Sequence, residues 1–473
     1  MALMHLLGIA ALFQAVTGSY KAYPIANEGG GFSSAACVRK DCTDSDHVCL
    51  GEQEETVILQ VQRSLPSSSG TTSRDLATIP DPGQFLNSTN IALHLLSVVP
   101  SFGDTSNFVA VLFQYNQRAW EALTGMDVFC SDAAKSHRTK ATVWGGERKG
   151  TARFAIVVRC EWPASPASQA HESSFDMLIE GNGQELGQVQ VQQSHIGMLE
   201  QYGTVACIPG LWNGEISAPS IIPQWMEFYL LHGVDHFIVY TSGITHAAVL
   251  EMYEPYIKAG VATRVHVNTT GKYAHGDAHK RLIMNDCLYR MKNHAQWLMP
   301  SVDVDEYIRL ADNDSVGDYM RTAWDKIASE HAPKLVHSIS MARVRFDRPL
   351  SVFYDNLLVN TSFRFPVSWS CPKYLVRPTL VNGVDIHYPI SWENGTQISI
   401  PMSQGFAAHY RVVHGPADYA MIPKGLVTVR DETLLADSPR IGLALENRFN
   451  GKWPEIEKKL RAGSDDQLSQ FPA

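Results

Sequence analysis

Asp303, Asp305 and Glu306 stand together in the run Asp303-Val304-Asp305-Glu306-Tyr307, directly after the apolar segment from Trp297 to Val302. Carboxylates so closely spaced, where a strand gives way to a loop, make a site for a hard divalent cation, whose preferred ligands are oxygens. Side chains of an extended chain alternate, so Asp303 and Asp305 project to the same side and both can reach one ion. A cation held there bridges diphosphate oxygens and stabilises negative charge on a leaving group. Taken alone, the triplet fits a solvated acidic loop equally well.

The segments before the triplet alternate in character. The apolar stretch from Thr204 to Ile208 reads as a short strand, and the run from Pro223 to Leu231 as a buried helix that stops at Gly233. A second strand at His236 to Tyr240 precedes a helix that Thr245 caps, Pro255 kinks and Gly260 ends. A strand from Val261 to Val267, a long helix from Asp277 to Asn293 and the segment from Trp297 to Val302 complete the series. This alternation predicts an α/β domain with a mainly parallel sheet covered on both faces, whose ligands bind beyond the carboxyl ends of the strands. At about 100° per residue, the long helix puts Ile283, Met284, Cys287, Leu288 and Met291 on one core face. His279, Asn285, Asp286, Tyr289 and Arg290 fall opposite, and a solvent face is the simplest reading, above all for His279 and Arg290.

Upstream of about residue 200 the period is two. Stretches near Val57–Gln62, Phe108–Phe113, Phe154–Arg159 and Val189–Gln192 read as strands separated by Ser-, Gly- and Pro-rich loops, which predicts a β-rich, sandwich-like domain. The expected organisation is a leader at 1–19, a β-rich accessory domain at 20–195, the α/β domain at 196–430 and a C-terminal helix and tail at 431–473. With 473 residues, 45% of them hydrophobic and 18% charged, the chain can bury a sizeable core, which excludes overall disorder. A net charge of −9 implies no broad basic face for nucleic acid.

Ala2 to Val16 carry no charged side chain and end at small residues, the pattern of a secretory signal peptide or a single signal anchor. Eight cysteines and the sequons at Asn87, Asn268, Asn313, Asn360 and Asn394 suit an oxidising, glycosylating lumen. Cys37, Cys42 and Cys49 lack the partners of a zinc site at the required spacing.

Five blocks together resemble glycosyltransferase family 92. The run from Gln224 to Tyr240 (QWMEFYLLHGVDHFIVY) is similar to that family's W-I-E-Y-H-x-x-x-G-V-x-H-F-x-x-Y opening. Asn285–Arg290 (NDCLYR) resembles its N-D-C-L-x-R helix, and Trp297–Ile308 (WLMPSVDVDEYI) its K-W-x-x-x-x-D-x-D-E-F-I segment. Lys373–Pro378 (KYLVRP) with Ile386-His387, and His409-Tyr410-Arg411, resemble the closing blocks. The blocks come in family order over residues 203–415; Phe228-Tyr229 stands where the family has Tyr-His, and Tyr307 where it has Phe. A metal-dependent phosphodiesterase would account for the acidic triplet but not for the other four blocks.

The resemblance implies a GT-A fold, Rossmann-like, and a transferase using a UDP-sugar donor with Mn²⁺ or Mg²⁺ bound by a D-x-D motif. Family members transfer galactose from UDP-galactose with inversion, onto glycan fucose in animals and pectic galactan in plants. Carried over, it makes Asp303 and Asp305 metal and diphosphate ligands, with Glu306 beside them positioning a ligand or the loop. His387 and His409 are the candidates for a third metal ligand, and His387 is slightly preferred. Lys373 and Arg377 are candidates for diphosphate contact, with His409 a further donor-binding candidate. Inversion needs a carboxylate base near the acceptor hydroxyl, for which Asp347, Asp385, Glu393 and Asp418 are in range. Trp369 and Trp392 offer faces for acceptor sugars. The expected activity is therefore metal-dependent hexose transfer to a glycan acceptor in the Golgi lumen, with a secreted enzyme as the alternative. A donor such as UDP-glucose or UDP-arabinose, or an inactive glycan-binding protein, are the competing readings. Two intact aspartates argue against the inactive form.

Overall fold

A computed structural model describes residues 84–88, 91–102, 107–115, 123, 125–145, 155–162, 174–192, 201–209, 219–241, 245, 247–267, 277–310, 319–346, 363–410, 429–430 and 435–468. The expected leader, the strand near Val57, Cys37, Cys42 and Cys49 lie outside the described residues, as do Asp347, Asp418 and the sequons at Asn268, Asn313 and Asn360. Within the described residues the chain is a mixed α/β protein in which strands predominate.

Nine strands precede residue 200: β1 (Gln84–Ser88), β2 (Ile91–Phe102), β3 (Asn107–Tyr115), β4 (Val128–Asp132), β5 (Arg138–Lys140), β6 (Thr142–Gly145), β7 (Ala155–Glu161), β8 (Ser174–Gly181) and β9 (Gln184–Gln192). They form two antiparallel sheets, ordered β1-β2-β3-β7-β6 and β5-β4-β8-β9. A disulfide from Cys130 on β4 to Cys160 on β7 joins the sheets. Strand β3 shows why its sequence is apolar without interruption from Phe108 to Phe113. Val109 and Val111 join the core shared with β4, β8 and β9, while Phe108, Ala110 and Leu112 enter a different core on the opposite face. A strand covered on both sides loses the alternation of a half-exposed one.

The second part begins with β10 (Tyr202–Ile208), α1 (Ile221–Leu231), β11 (His236–Thr241), α2 (Ala247–Lys258), β12 (Ala262–His266), α3 (Asp277–Met291), β13 (Ala295–Met299) and β14 (Glu306–Leu310). It continues through α4 (Tyr319–Glu330), β15 (Val336–Phe346), β16 (Phe363–Val376), β17 (Val381–Val384), β18 (Pro389–Trp392), β19 (Thr396–Ile400), β20 (Gly405–His409) and β21 (Val429–Arg430). Helices α5 (Ser438–Arg448) and α6 (Trp453–Leu468) follow, so the C-terminal segment carries two helices where its sequence predicts one.

One ten-stranded sheet runs β12-β11-β10-β13-β16-β15-β20-β14, with β19 on β15 and β21 on β16. Its first four strands are parallel, as the strand–helix alternation requires. Beyond β13 it becomes mixed: β16 joins β13 and β15 antiparallel, β20 joins β15 parallel, and β14 joins β20 antiparallel. The return to antiparallel pairing brings His409 opposite Glu306.

Helix α3 corrects the expectation of a solvent face. Asn285, Asp286 and Arg290 are all buried. Asp286 accepts from the Tyr240 hydroxyl (2.5 Å) and pairs with Arg290 (2.6 Å). Asn285 exchanges hydrogen bonds with the backbone of Val384, and the Tyr289 hydroxyl donates to the Asn382 carbonyl (2.8 Å). One side of the helix meets the parallel strands, where Cys287 is disulfide-bonded to Cys207 of β10. The other side packs on β2, β3 and β7 of the first sheet. The β-rich part and the α/β part thus share a core, built around the helix between them.

The seam carries charge. Arg159 of β7 pairs with Glu393 (2.9 Å), and Lys292 Nζ donates to the Val381 carbonyl and to Asn382 Oδ1, both at 2.8 Å. Burial, together with the Arg159 guanidinium, pushes the Lys292 ammonium down to about 7. Between pH 7 and the ordinary lysine value the unfolded chain therefore binds the proton that the folded chain has released, so stability rises with pH across that window. Lys292→Met is expected to flatten this rise, worth on the order of 3 kcal/mol, in urea unfolding curves taken between pH 7 and 10.

Candidate active site

The acidic loop lies at the carboxyl end of β13, and its backbone is held from three directions. Asp303 N–H donates to Glu306 Oε2 (3.0 Å) while Glu306 N–H donates to the Asp303 carbonyl (2.9 Å), closing a tight turn. Trp225 Nε1 and the Tyr229 hydroxyl, one helical turn apart on α1, both donate to the Glu306 carbonyl, at 2.9 and 3.1 Å. Tyr229 in turn accepts from the Ile308 N–H (2.9 Å). The Tyr410 N–H donates to the Asp305 carbonyl (2.8 Å). The Trp225–Tyr229 spacing on α1 thus serves the loop about 80 residues later.

The three carboxylates are not equivalent. Asp303 contacts the ammoniums of both Lys280 and Lys373, the latter at 3.0 Å. Burial works to raise the Asp303 carboxyl, but Lys280 and Lys373 hold it well below the usual carboxylate range. Lys373, itself buried, also reaches Glu306 Oε2 (2.7 Å) and the Ser301 carbonyl (2.7 Å). Glu306 is 0% exposed; its other oxygen accepts no hydrogen bond from the protein and faces Arg343 Nη1 at 3.7 Å and His409 Nδ1 at 4.0 Å. Asp305 stands apart from the lysines and faces His409 Nε2 at 3.2 Å, both side chains remaining partly exposed.

Asp303, Asp305, Glu306, Lys373 and His409 therefore converge. His387 is held elsewhere, its Nδ1 against the Pro372 carbonyl (3.2 Å), one residue from Lys373 along β16. Arg377 meets Asp325 at 3.5 Å and lies over the Trp297 ring. The Asp385 carboxylate takes Arg281 (2.6 Å) and the Ile386 N–H (2.6 Å), while its carbonyl accepts from the Tyr374 hydroxyl. Glu393 is on the seam with Arg159. Asp347 and Asp418 lie outside the described residues, as does the side chain of Trp369.

Lys280, Arg343, Trp225 and Tyr229 belong to the site's frame and carry no site role in the sequence reading. A signal for Lys280 exists: a helix that follows a parallel strand starts at the carboxyl edge of the sheet, so a cation in its first turn faces the ligand side. The chemistry of the donors separates two jobs. Asp305 and His409 are an oxygen and an imidazole nitrogen, both ordinary ligands of a transition-metal dication, whereas both oxygens of Asp303 are engaged by ammonium groups. Among the described residues no group of three or more His, Cys, Asp or Glu side chains is set to hold a metal.

Residues 202–436 match the sequence profile of glycosyltransferase family 92. Galactan beta-1,4-galactosyltransferase GALS1 from Arabidopsis thaliana is 34% identical over 112 residues, 23% of this chain and 22% of the relative. GALS3 from the same plant is 23% identical over 125 residues, 26% of this chain and 24% of the relative. The matches thus span under a quarter of either curated relative. Among solved structures, a ferredoxin-NADP+ reductase from Plasmodium falciparum aligns over 54% of this chain and 86% of its own at 10% identity, with a TM-score of 0.13 that supports no argument. The profile spans both the acidic loop and the strand that brings His409 to it, and by this domain the chain belongs to glycosyltransferase family 92.

Proposed function

We propose that the chain is a metal-dependent, inverting galactosyltransferase of GT-A type that takes UDP-galactose and extends a galactan-like acceptor. The observation that carries this reading is the Asp305–His409 pair, 3.2 Å apart across β14 and β20. These two residues would hold a divalent cation, Mn²⁺ or Mg²⁺. The cation would neutralise charge developing on the UDP leaving group. Lys280, Lys373 and Arg343 form the fixed positive wall behind the loop, and Asp303 and Glu306 hold those cations in place. The galactan acceptor follows from the names of the two relatives. Two disulfides support a secretory-pathway location, with the Golgi lumen as the specific proposal; no helix among the described residues is long and apolar enough to cross a membrane.

The test is UDP release by the full chain, secreted from eukaryotic cells, with UDP-galactose, UDP-glucose and UDP-arabinose, each with Mn²⁺ or with EDTA, and a short β-1,4-galactan as acceptor. Release from UDP-galactose that requires both metal and acceptor is the expected result. Equal release in EDTA would remove the metal from the reading. Preference for either other sugar would replace the donor.

A further inference from the structure

The turn Trp392-Glu393-Asn394-Gly395-Thr396, between β18 and β19, carries a sequon two residues after an exposed tryptophan. Trp392 is 48% exposed, although its ring is one of the largest apolar groups in the chain. One face of the ring stacks on His337 (centroids 4.8 Å apart, 21° between planes), which leaves the opposite face for a further partner. Burial pushes His337 down to about 4, so that partner is a neutral ring at physiological pH. Leu335, also exposed at 41%, ends beside the same turn: its carbonyl accepts from the Thr396 N–H (2.8 Å). Asn394 is exposed, and its Oδ1 accepts from the Gly395 N–H (2.7 Å), which leaves Nδ2 as the reactive end of the amide. Gly395 has φ +99°, and a Cβ there would lie 2.7 Å from the Leu335 carbonyl oxygen, so the turn's shape depends on glycine.

We propose that Asn394 is N-glycosylated and that the first N-acetylhexosamine packs its apolar C–H face on Trp392. The sugar comes from a lipid diphosphate-linked oligosaccharide in the lumen. Asn394 Nδ2 forms a bond to the sugar C1, the C1–O bond to diphosphate breaks, the lipid diphosphate leaves with the electron pair, and the amide gives up one proton. Packing on Trp392 covers an aromatic face that would otherwise stay in water. It also assigns that face to the protein's own glycan and withdraws it from acceptor binding. Because the turn adjoins Glu393, which pairs with Arg159 of the first sheet, the glycan stands beside the seam between the two parts.

The experiment is peptide mapping of the full chain secreted from eukaryotic cells, before and after enzymatic deglycosylation in heavy-oxygen water. Conversion of Asn394 to labelled Asp is the expected result, and an unmodified Asn394 would overturn the site. Packing is tested by a cycle of glycosylated and deglycosylated chains bearing Trp392, Trp392→Phe or Trp392→Leu. The glycan is expected to raise Tm by about 2 °C with Trp or Phe and by markedly less with Leu, which keeps the turn apolar without a flat ring. An equal glycan effect in all three chains would overturn the packing.

Discussion

Asp305→Asn is expected to lower transfer turnover on the order of 100- to 1,000-fold while leaving the thermal unfolding transition in place. The substitution is isosteric, and the contact that fixes the Asp305 backbone, from the Tyr410 N–H, is untouched. What changes is the charge facing His409 at the partly exposed end of the loop. A weakened metal site should show itself as a higher Mn²⁺ requirement as well as a lower rate, measured by UDP release across a manganese titration. His409→Gln is expected to move the same titration in the same direction. If Asp305→Asn kept wild-type turnover and manganese dependence, the pair would not be the cation site. Asp303→Asn, chemically the same change two residues earlier, should differ. It strips the shared counter-charge from Lys280 and Lys373, so its first effect is on the stability of the loop.

That difference between two aspartates marks where sequence reasoning stops. Residue type and spacing identify both as acidic groups at the end of a strand, and alternation even places them on one side. Their separation arises from partners far away in the chain: Lys373 on β16 for one, His409 on β20 for the other. Those partners depend on antiparallel pairings that no local period announces, because the β14–β20 register joins segments about a hundred residues apart. The four parallel strands and their helices were legible because each βαβ unit writes its own alternation of periods. The polar side of α3 was misleading for a related reason. Asn285, Asp286 and Arg290 repeat at helical spacing whether the face meets water or the backbone of another strand. Only the unbroken apolar run Phe108–Phe113 of β3, too hydrophobic for a strand with one wet face, hinted that something besides the second sheet covered it.

Lys373→Met is expected to cost roughly 3–5 kcal/mol of stability, because it leaves the buried Glu306 without a close counter-charge and Asp303 with Lys280 alone. The Lys373 ammonium touches Asp303, Glu306 and the Ser301 carbonyl, and Glu306 is 0% exposed. With Lys373 gone, the nearest remaining cation to Glu306 among the described residues is Arg343 at 3.7 Å, too far to replace a 2.7 Å contact. The pH dependence has a definite sign. Asp303 is depressed in the folded chain, so its stabilisation is present above the ordinary carboxylate range and lost as pH falls through the folded value. Removing one of the two ammoniums that hold it down brings the folded value closer to the ordinary one, so the acid loss becomes smaller and is complete at a higher pH, which urea unfolding between about pH 2 and 5 would register. Glu306→Gln in the Lys373→Met background should recover part of the loss, since it neutralises the most buried of the stranded charges. A cost below about 1 kcal/mol for Lys373→Met would mean that the loop is held by its backbone hydrogen bonds to Trp225, Tyr229 and Tyr410 alone, with the ion cluster serving only to shape the field at the site.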